Sequence, residues 1–192
     1  MQSETDGGPC WAPQERLNVF ALVIYIPDPL GRFLDELRRE LVPHSNPHAH
    51  VSVLPPRPLA VDWQVASEQV RALTDTWSPF EISLDGIRVF PNTNVIFLEL
   101  DRGAHELHRL HDAMDRGALE CEEPFPYHPH VTLAQEFPAG ELAEIHDRAQ
   151  HRWREYEGPR RFVAERAVFV QNTRQDCWID LDQYSLGAVP VG

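Results

Sequence analysis

A six-residue pattern that occurs twice constrains the fold of this 192-residue chain more than any other feature of its sequence. Residues 48–53 read HAHVSV and residues 128–133, 80 positions later, read HPHVTL, so both copies fit H-x-H-V-[ST]-[VL]. Apolar and polar residues alternate in each copy, which is the pattern of a β-strand with one buried face. The repeat therefore predicts two equivalent strands inside a duplicated unit.

The regions around the two copies follow one common order of elements. Strands are predicted at 17–26, 48–54 and 80–89, with helices beginning near Asp28 and Asp62, and the same order returns over residues 94–170. Residues 162–170 are predicted as one strand, and a last strand at 177–184 follows it. We therefore expect an α+β fold made of a duplicated β-α-β-α-β unit. Strands separated by helices often pair in parallel, but each half is too small for a doubly wound domain. Two packed lobes that face one another are at least as well supported, and sequence order alone leaves the strand directions open.

The two ends of the chain and its apolar stretches set the domain organisation. We predict a disordered tail at residues 1–16. Residues 17–192 are predicted to form a single domain of two lobes interleaved around the H-x-[ST] strands. A transmembrane protein is excluded, because no run approaches the roughly 18 apolar residues of a spanning helix. The N-terminus has neither the basic start nor the apolar stretch of a secretory signal, which predicts a cytoplasmic protein.

Three cysteines without a C-x-x-C pair predict free thiols.

The charged residues exclude several classes of function. The formal net charge is −13, which disfavours an extended contact with nucleic acid but leaves room for a small anionic ligand in a local arginine pocket. All 17 basic residues are arginine. Without lysine, the chain has no P-loop lysine, no Schiff-base lysine, no anchor for pyridoxal phosphate and no lysine that could carry a nucleotidyl group.

The alternation of a strand gives the repeated pattern a chemical meaning. His50 and Ser52 point to one face of the first strand, as His130 and Thr132 do on the second, while the valines between them point into the core. If the two strands line one cleft, two imidazoles and two hydroxyls surround a single point. A neutral histidine can then take a proton from water, a protonated one can give a proton to a leaving oxygen, and the hydroxyls can bind phosphoryl oxygens. This mechanism requires no metal or other cofactor.

The two motifs, HVSV at 50–53 and HVTL at 130–133, resemble the H-x-[ST]-x motifs of the 2H phosphoesterases. Within that family, the resemblance is to the branch of 2′-5′ RNA ligases and RNA 2′,3′-cyclic phosphodiesterases. The second motif of that branch is similar to YHPHVTLA at 127–134, and its middle hairpin is similar to VFPNTNVIFLEL at 89–100. The similarity spans about residues 17–184. The resemblance implies two antiparallel-rich sheets facing a central cleft, with helices outside, and metal-independent hydrolysis of 2′,3′-cyclic phosphates on nucleotides or RNA ends. It implies that His50 and His130 are catalytic, with His130 activating water and His50 protonating the departing oxygen, and that Ser52 and Thr132 bind phosphate. The sequence leaves the reverse assignment of the two histidines open. RNA ligation would be the reverse of this chemistry.

Other interpretations of these residues remain open. His48 and His128 lie on the same strand face as the catalytic pair, so two H-x-H pairs could form a four-imidazole metal site in a metal-dependent hydrolase. They could instead line the mouth of the cleft or orient their neighbours. Tyr127 could stack on a base or pack in the interior, and Arg57 could reach a phosphate or stay in solvent. A non-catalytic module that binds a nucleotide or an RNA end is a further alternative.

Overall fold

The computed structural model describes residues 15–45 and 48–187. The predicted tail lies outside the described residues, apart from Glu15 and Arg16, and Arg16 is the first residue of the first strand. The elements, in chain order, are β1 (Arg16–Tyr25), α1 (Leu30–Leu41), β2 (His50–Arg57), α2 (Trp63–Thr74), β3 (Phe80–Val89), β4 (Ile96–Arg102), α3 (Ala104–Met114), β5 (His130–Ala134), α4 (Leu142–Glu155), β6 (Arg161–Ala164), β7 (Arg166–Thr173) and β8 (Trp178–Ser185).

Within residues 15–45 and 48–187, eight strands form two four-stranded sheets in which neighbouring strands are antiparallel. The first sheet has the order β2-β1-β7-β8 and the second β5-β4-β3-β6. Since every strand pair is antiparallel, the parallel arrangement left open by the sequence is wrong and the expected α+β fold is confirmed. The two H-x-[ST] strands, β2 and β5, take the same position in their sheets, at one edge, and they lie next to each other.

The chain exchanges strands between the two sheets. β3, in the first predicted half, belongs to the second sheet, whereas β7 and β8 return to the first. The predicted single strand at 162–170 is therefore wrong, because the chain leaves one sheet after Ala164 and enters the other at Arg166. Glu165 and Arg166 are both exposed, which shifts the alternation by one residue. This adjacent exposed pair is the local signal of the break.

The faces of the edge strands are set by the packing of their apolar residues. Val51 and Val53 of β2 are fully buried, as are Val131 and Leu133 of β5, in a core that both sheets and the helices share. The alternate residues must then point to the opposite face of each strand. The first helix covers the core with a stripe of buried leucines, Leu30, Leu34, Leu37 and Leu41.

Two further expectations concern the apolar segments and the thiols. None of the helices in the described part of the chain is long and apolar enough to cross a membrane. Cys121 is a free thiol as predicted. The prediction is wrong for Cys177, which is disulfide-bonded, and Cys10 lies outside the described residues.

Candidate active site

A cleft of about 1340 Å³ opens along the outward faces of β2 and β5. Seven of the eight residues that the sequence singled out line it: His48, His50, Ser52, Tyr127, His128, His130 and Thr132. The edge positions of the two strands bring both motifs to one place, although they are separated by 80 residues in the chain. The structure thus brings both imidazole and hydroxyl pairs to a single cleft.

The two histidines of the motifs are held in the same way. Nδ1 of His50 lies 2.8 Å from the carbonyl oxygen of His48, and Nδ1 of His130 lies 2.7 Å from the carbonyl oxygen of His128. A carbonyl can only accept, so each Nδ1 carries the proton and donates it to the carbonyl. In the neutral ring Nε2 is then the atom with a lone pair, available to take a proton.

The surroundings of both imidazoles favour their neutral forms. Burial lowers the pKa of His50 to about 4, with further lowering by the positive charges of Arg38 and His130. Burial also lowers the pKa of His130, and the nearby Glu99 opposes this in part. With no anion bound, both rings are neutral at pH 7. A bound phosphate would raise both pKa values, because a negative charge favours the imidazolium form.

The hydroxyls of Ser52 and Thr132 have no partner of their own. Within the described residues neither hydroxyl makes a hydrogen bond, whereas the backbone carbonyl of Ser52 accepts one from the hydroxyl of Tyr127. Both side chains face the cleft. Each can therefore donate to an oxygen of a ligand without breaking an existing bond.

The additional histidine of each motif pairs with an acidic residue from another element. His48 Nδ1 lies 3.4 Å from Asp35 of α1, and His128 Nε2 lies 3.0 Å from Glu99 of β4. Asp35 also accepts the backbone N–H of Ala49 at 2.6 Å, which fixes the start of β2. These contacts, together with the carbonyls that hold the rings of His50 and His130, support the prediction that the additional histidines orient their neighbours.

The H-x-H pairs do not form a preorganised metal centre. In residues 15–45 and 48–187 the one group of three potential ligand side chains whose ligand atoms lie within 4.8 Å of one another is His111, Asp115 and Glu123. None of these three side chains belongs to an H-x-H motif, and the guanidinium of Arg57 already pairs with both carboxylates.

Tyr127 joins the two halves of the site. Its hydroxyl donates to the carbonyl of Ser52 at 2.7 Å, and its ring stacks on His111 with centroids 4.0 Å apart. Burial raises the pKa of the Tyr127 phenol well above its usual range, so it stays protonated and can donate. Because ring and hydroxyl both have partners, the structure favours interior packing over stacking on a base.

The prediction that Arg57 could reach a phosphate is wrong. Its side chain is only 2% exposed, and it does not line the cleft. The guanidinium donates to Asp115 at 2.6 Å, to the carbonyls of Pro55 and Leu119, and to Glu123. Arg57 therefore neutralises two partly buried carboxylates, of which Glu123 lines the cleft. Its sequence position next to the motif gave no sign of this.

Sequence reasoning missed residues that reach the cleft from other elements. Arg38 comes from α1, and Phe90, which stacks on Phe97 at 4.0 Å, presents its ring to His128 and His130 in edge contacts. A local signal exists for Arg38 alone. It lies four residues after Leu34 and three before Leu41, at the border of the buried stripe, where a charged residue is unusual.

Two antiparallel sheets, each supplying one H-x-[ST] strand to a common cleft, define the class of the 2H phosphoesterases. The chain belongs to the 2′-5′ RNA ligase superfamily, whose family model matches residues 26–176.

Among curated relatives, a protein from Oceanobacillus iheyensis, provisionally named a phosphoesterase, is 29% identical over 84 residues, which cover 43% of this chain and 49% of that protein. The chain thus matches about half the length of this relative. A protein of the same provisional name from Geobacillus kaustophilus is 23% identical over 136 residues, covering 66% and 75% of the two chains. The crystal structure of Escherichia coli LigT has a TM-score of 0.58 at 13% identity, covering 92% of this chain and 99% of that one. Usb1 of Kluyveromyces marxianus has a TM-score of 0.54 at 13% identity, with 85% and 97% covered.

Proposed function

We propose that this protein hydrolyses 2′,3′-cyclic phosphates on nucleotides or RNA ends by acid–base catalysis with His50 and His130. The observation that carries the proposal is the equivalent geometry of the two histidines, each bonded through Nδ1 to the carbonyl two residues before it and facing one cleft. A lone strand histidine would carry little weight, but two with matched partners form an acid–base pair.

In the reaction, the oxygen of a water molecule attacks phosphorus as one imidazole Nε2 takes the proton of that water. The bond from phosphorus to one ribose oxygen breaks, and the other histidine, as an imidazolium, gives its proton to that oxygen. The ring opens to a phosphate monoester and one water is consumed. Ser52 and Thr132 donate hydrogen bonds to the non-bridging oxygens, where negative charge develops. The resemblance assigns water activation to His130 and protonation to His50.

Ligands of a structural relative are consistent with a small phosphate ester as substrate. LigT of Escherichia coli has been crystallised with ATP, with phosphate and with 3′-AMP. A nucleoside 3′-monophosphate is one of the two products that opening of a 2′,3′-cyclic phosphate can give. The net charge of −13 supports a small substrate over a long stretch of RNA, because like charges repel at long range. Ligation to a 2′-5′ bond would follow the same ring opening, with a ribose 5′-hydroxyl in place of water as the nucleophile and the 3′ oxygen as the leaving group.

The test is hydrolysis of 2′,3′-cyclic AMP and GMP by the purified chain, with and without EDTA, followed by chromatography of the products. We expect turnover that EDTA leaves unchanged and that disappears in the double variant His50→Ala/His130→Ala. Turnover abolished by EDTA and restored by a divalent metal would favour the metal-dependent hydrolase. Nucleotide binding without turnover would favour the non-catalytic module.

The pH dependence of kcat/KM provides an independent prediction. One histidine must be neutral and the other protonated, so the rate is highest between their two pKa values and falls on both sides. Both values are lowered from 6.5 in the free protein, that of His50 to about 4. We therefore expect a bell-shaped profile with its maximum below pH 6.5. A flat profile between about pH 5 and 8, with circular dichroism showing folded protein, would contradict the two-histidine mechanism.

A further inference from the structure

The cleft contains one permanent cation. Among the described residues that line it, Arg38 is the only lysine or arginine, whereas its acidic residues number four, Glu122, Glu123, Glu136 and Asp176. His50 and His130 are neutral at pH 7 when no anion is bound, because burial lowers the pKa of both rings. A negatively charged group that enters the cleft therefore has one side chain of fixed positive charge to pair with.

The guanidinium of Arg38 lacks the hydrogen bonds that normally accompany burial. Its side chain is 11% exposed, and within the described residues its buried Nε and Nη1 atoms have no hydrogen-bond partner. Asp35 Oδ1 lies 3.8 Å from Nη1, too far for a hydrogen bond, and already accepts the N–H of Ala49. Burying unpaired donors of a charged group is costly, so an arginine in this state is poised for an acceptor from outside the chain.

The position of Arg38 relative to the motifs identifies that acceptor. It lies in the last turn of α1, close enough to His50 to disfavour the protonated ring, and it shares the cleft with the hydroxyls of Ser52 and Thr132. A phosphate bound by these hydroxyls would present its oxygens to the guanidinium. The planar array of N–H donors on arginine matches the oxygens of a phosphate group, and such charged hydrogen bonds are among the strongest in proteins.

We propose that Arg38 is a substrate-binding residue that donates hydrogen bonds to the non-bridging oxygens of the substrate phosphate and places the phosphorus beside His50. This deepens the proposed function and rests on it for the identity of the substrate. It also explains how a strongly acidic chain without lysine holds an anion, since the charge is supplied at one point inside the cleft. The same contact holds the phosphate monoester product.

Binding of inorganic phosphate tests this inference directly, because it requires no turnover. Isothermal titration calorimetry measures the phosphate affinity of the wild type, Arg38→Met, Arg38→Lys and a control, Arg39→Met. The control removes the same charge from an exposed position one residue further along α1. We expect Arg38→Met to weaken phosphate binding by about tenfold to a hundredfold, the range for a charged hydrogen bond. Arg38→Lys, which keeps the charge and loses the planar array, should fall between, and Arg39→Met should bind as the wild type does.

Thermal unfolding separates ligand binding from a structural role. The ion pair of Arg38 with Asp35 is long, at 3.8 Å, and within the described residues the buried Nε and Nη1 atoms have no hydrogen-bond partner. We therefore expect Arg38→Met to unfold close to the wild-type temperature. The inference is overturned if Arg38→Met unfolds at a lower temperature while it binds phosphate as the wild type does. It is also overturned if neither the wild type nor Arg38→Met binds inorganic phosphate.

Turnover of 2′,3′-cyclic AMP by the same variants distinguishes this inference from the proposed function. If the wild type turns over no cyclic phosphate but its phosphate affinity depends on Arg38, the anion site stands and the proposed function fails. If the wild type is active and Arg38→Met matches it in both assays, the proposed function stands and the role of Arg38 is wrong.

Discussion

Replacement of His50 or His130 by alanine is expected to lower kcat for 2′,3′-cyclic AMP by about 10²-fold to 10⁴-fold. In the proposed mechanism each imidazole transfers one of the two protons that the reaction moves, so loss of either should have a large effect. The two losses should not add, because an acid–base pair acts as a unit, and the double variant should be close to the slower single variant. Initial rates by chromatography of the product measure all three.

A suitable control is His151→Ala. His151 lies on the exposed side of α4, where it pairs with Glu155, and it does not line the cleft. It should retain wild-type activity, which shows that removal of a histidine is not harmful in itself. Near-wild-type activity in His50→Ala or His130→Ala would refute the assignment of that residue, provided that the variant is folded.

A substrate with a better leaving group can separate the two roles. A 4-nitrophenyl ester of a nucleotide releases nitrophenolate, which needs no proton on departure, so the variant without the general acid should lose less activity on this ester than on the cyclic phosphate. The resemblance predicts that this variant is His50→Ala. The charges around the two rings in the free protein do not decide between the assignments. Arg38 lowers and Asp35 raises the pKa of His50, while His128 lowers and Glu99 raises the pKa of His130.

Replacement of Thr132 by valine is expected to lower kcat by about 10²-fold, the low end of the range for loss of one donor to a developing oxyanion. Valine keeps the shape and the β-branch of threonine, so the pairing of β5 with β4 should not change. Thr132→Ser keeps the hydroxyl and should restore most of the rate. Ser52→Ala and Ser52→Thr provide the equivalent pair on the first motif.

The alternative role for these hydroxyls is a structural one within the strand, and unfolding measurements distinguish it. In that case Thr132→Val would lower the unfolding temperature with little change in kcat. Since neither hydroxyl makes a hydrogen bond within the described residues, we expect the unfolding temperatures to stay close to that of the wild type. An unchanged kcat in Thr132→Val would contradict the proposed contact with phosphate.

The faces of the two motif strands and the apolar stripes of the helices could be predicted because they depend on local periodicity. Alternation at a period of two places Val51 and Val53 in the core and leaves His50 and Ser52 outside, whichever strands lie beside them. The break between β6 and β7 was missed although the adjacent exposed pair Glu165 and Arg166 marks it, because the apolar residues on either side suit one continuous strand.

The environment of the site could not be predicted, because it is built from residues far apart in the chain. Asp35 reaches the first motif from α1, and Glu99 reaches the second from β4. Arg57 lies in a loop-like sequence next to a motif, yet tertiary packing brings Asp115 and Glu123 to it and buries it. Nothing in the spacing of these residues indicates their contacts.

The sequence by itself determined which residues we propose for the chemistry, since a doubled H-x-[ST] strand places two imidazoles and two hydroxyls on equivalent strand faces. The tertiary structure decided how those residues are tuned and which cation accompanies them. Pairing of β1 with β7 and of β4 with β3 leaves the two motif strands at the edges of their sheets, where they lie next to each other. Packing of α1 brings Arg38 into the cleft that His50 lines. The physical reason is that side-chain direction along a strand is a local property, whereas burial and the charges that surround a group depend on the path of the whole chain.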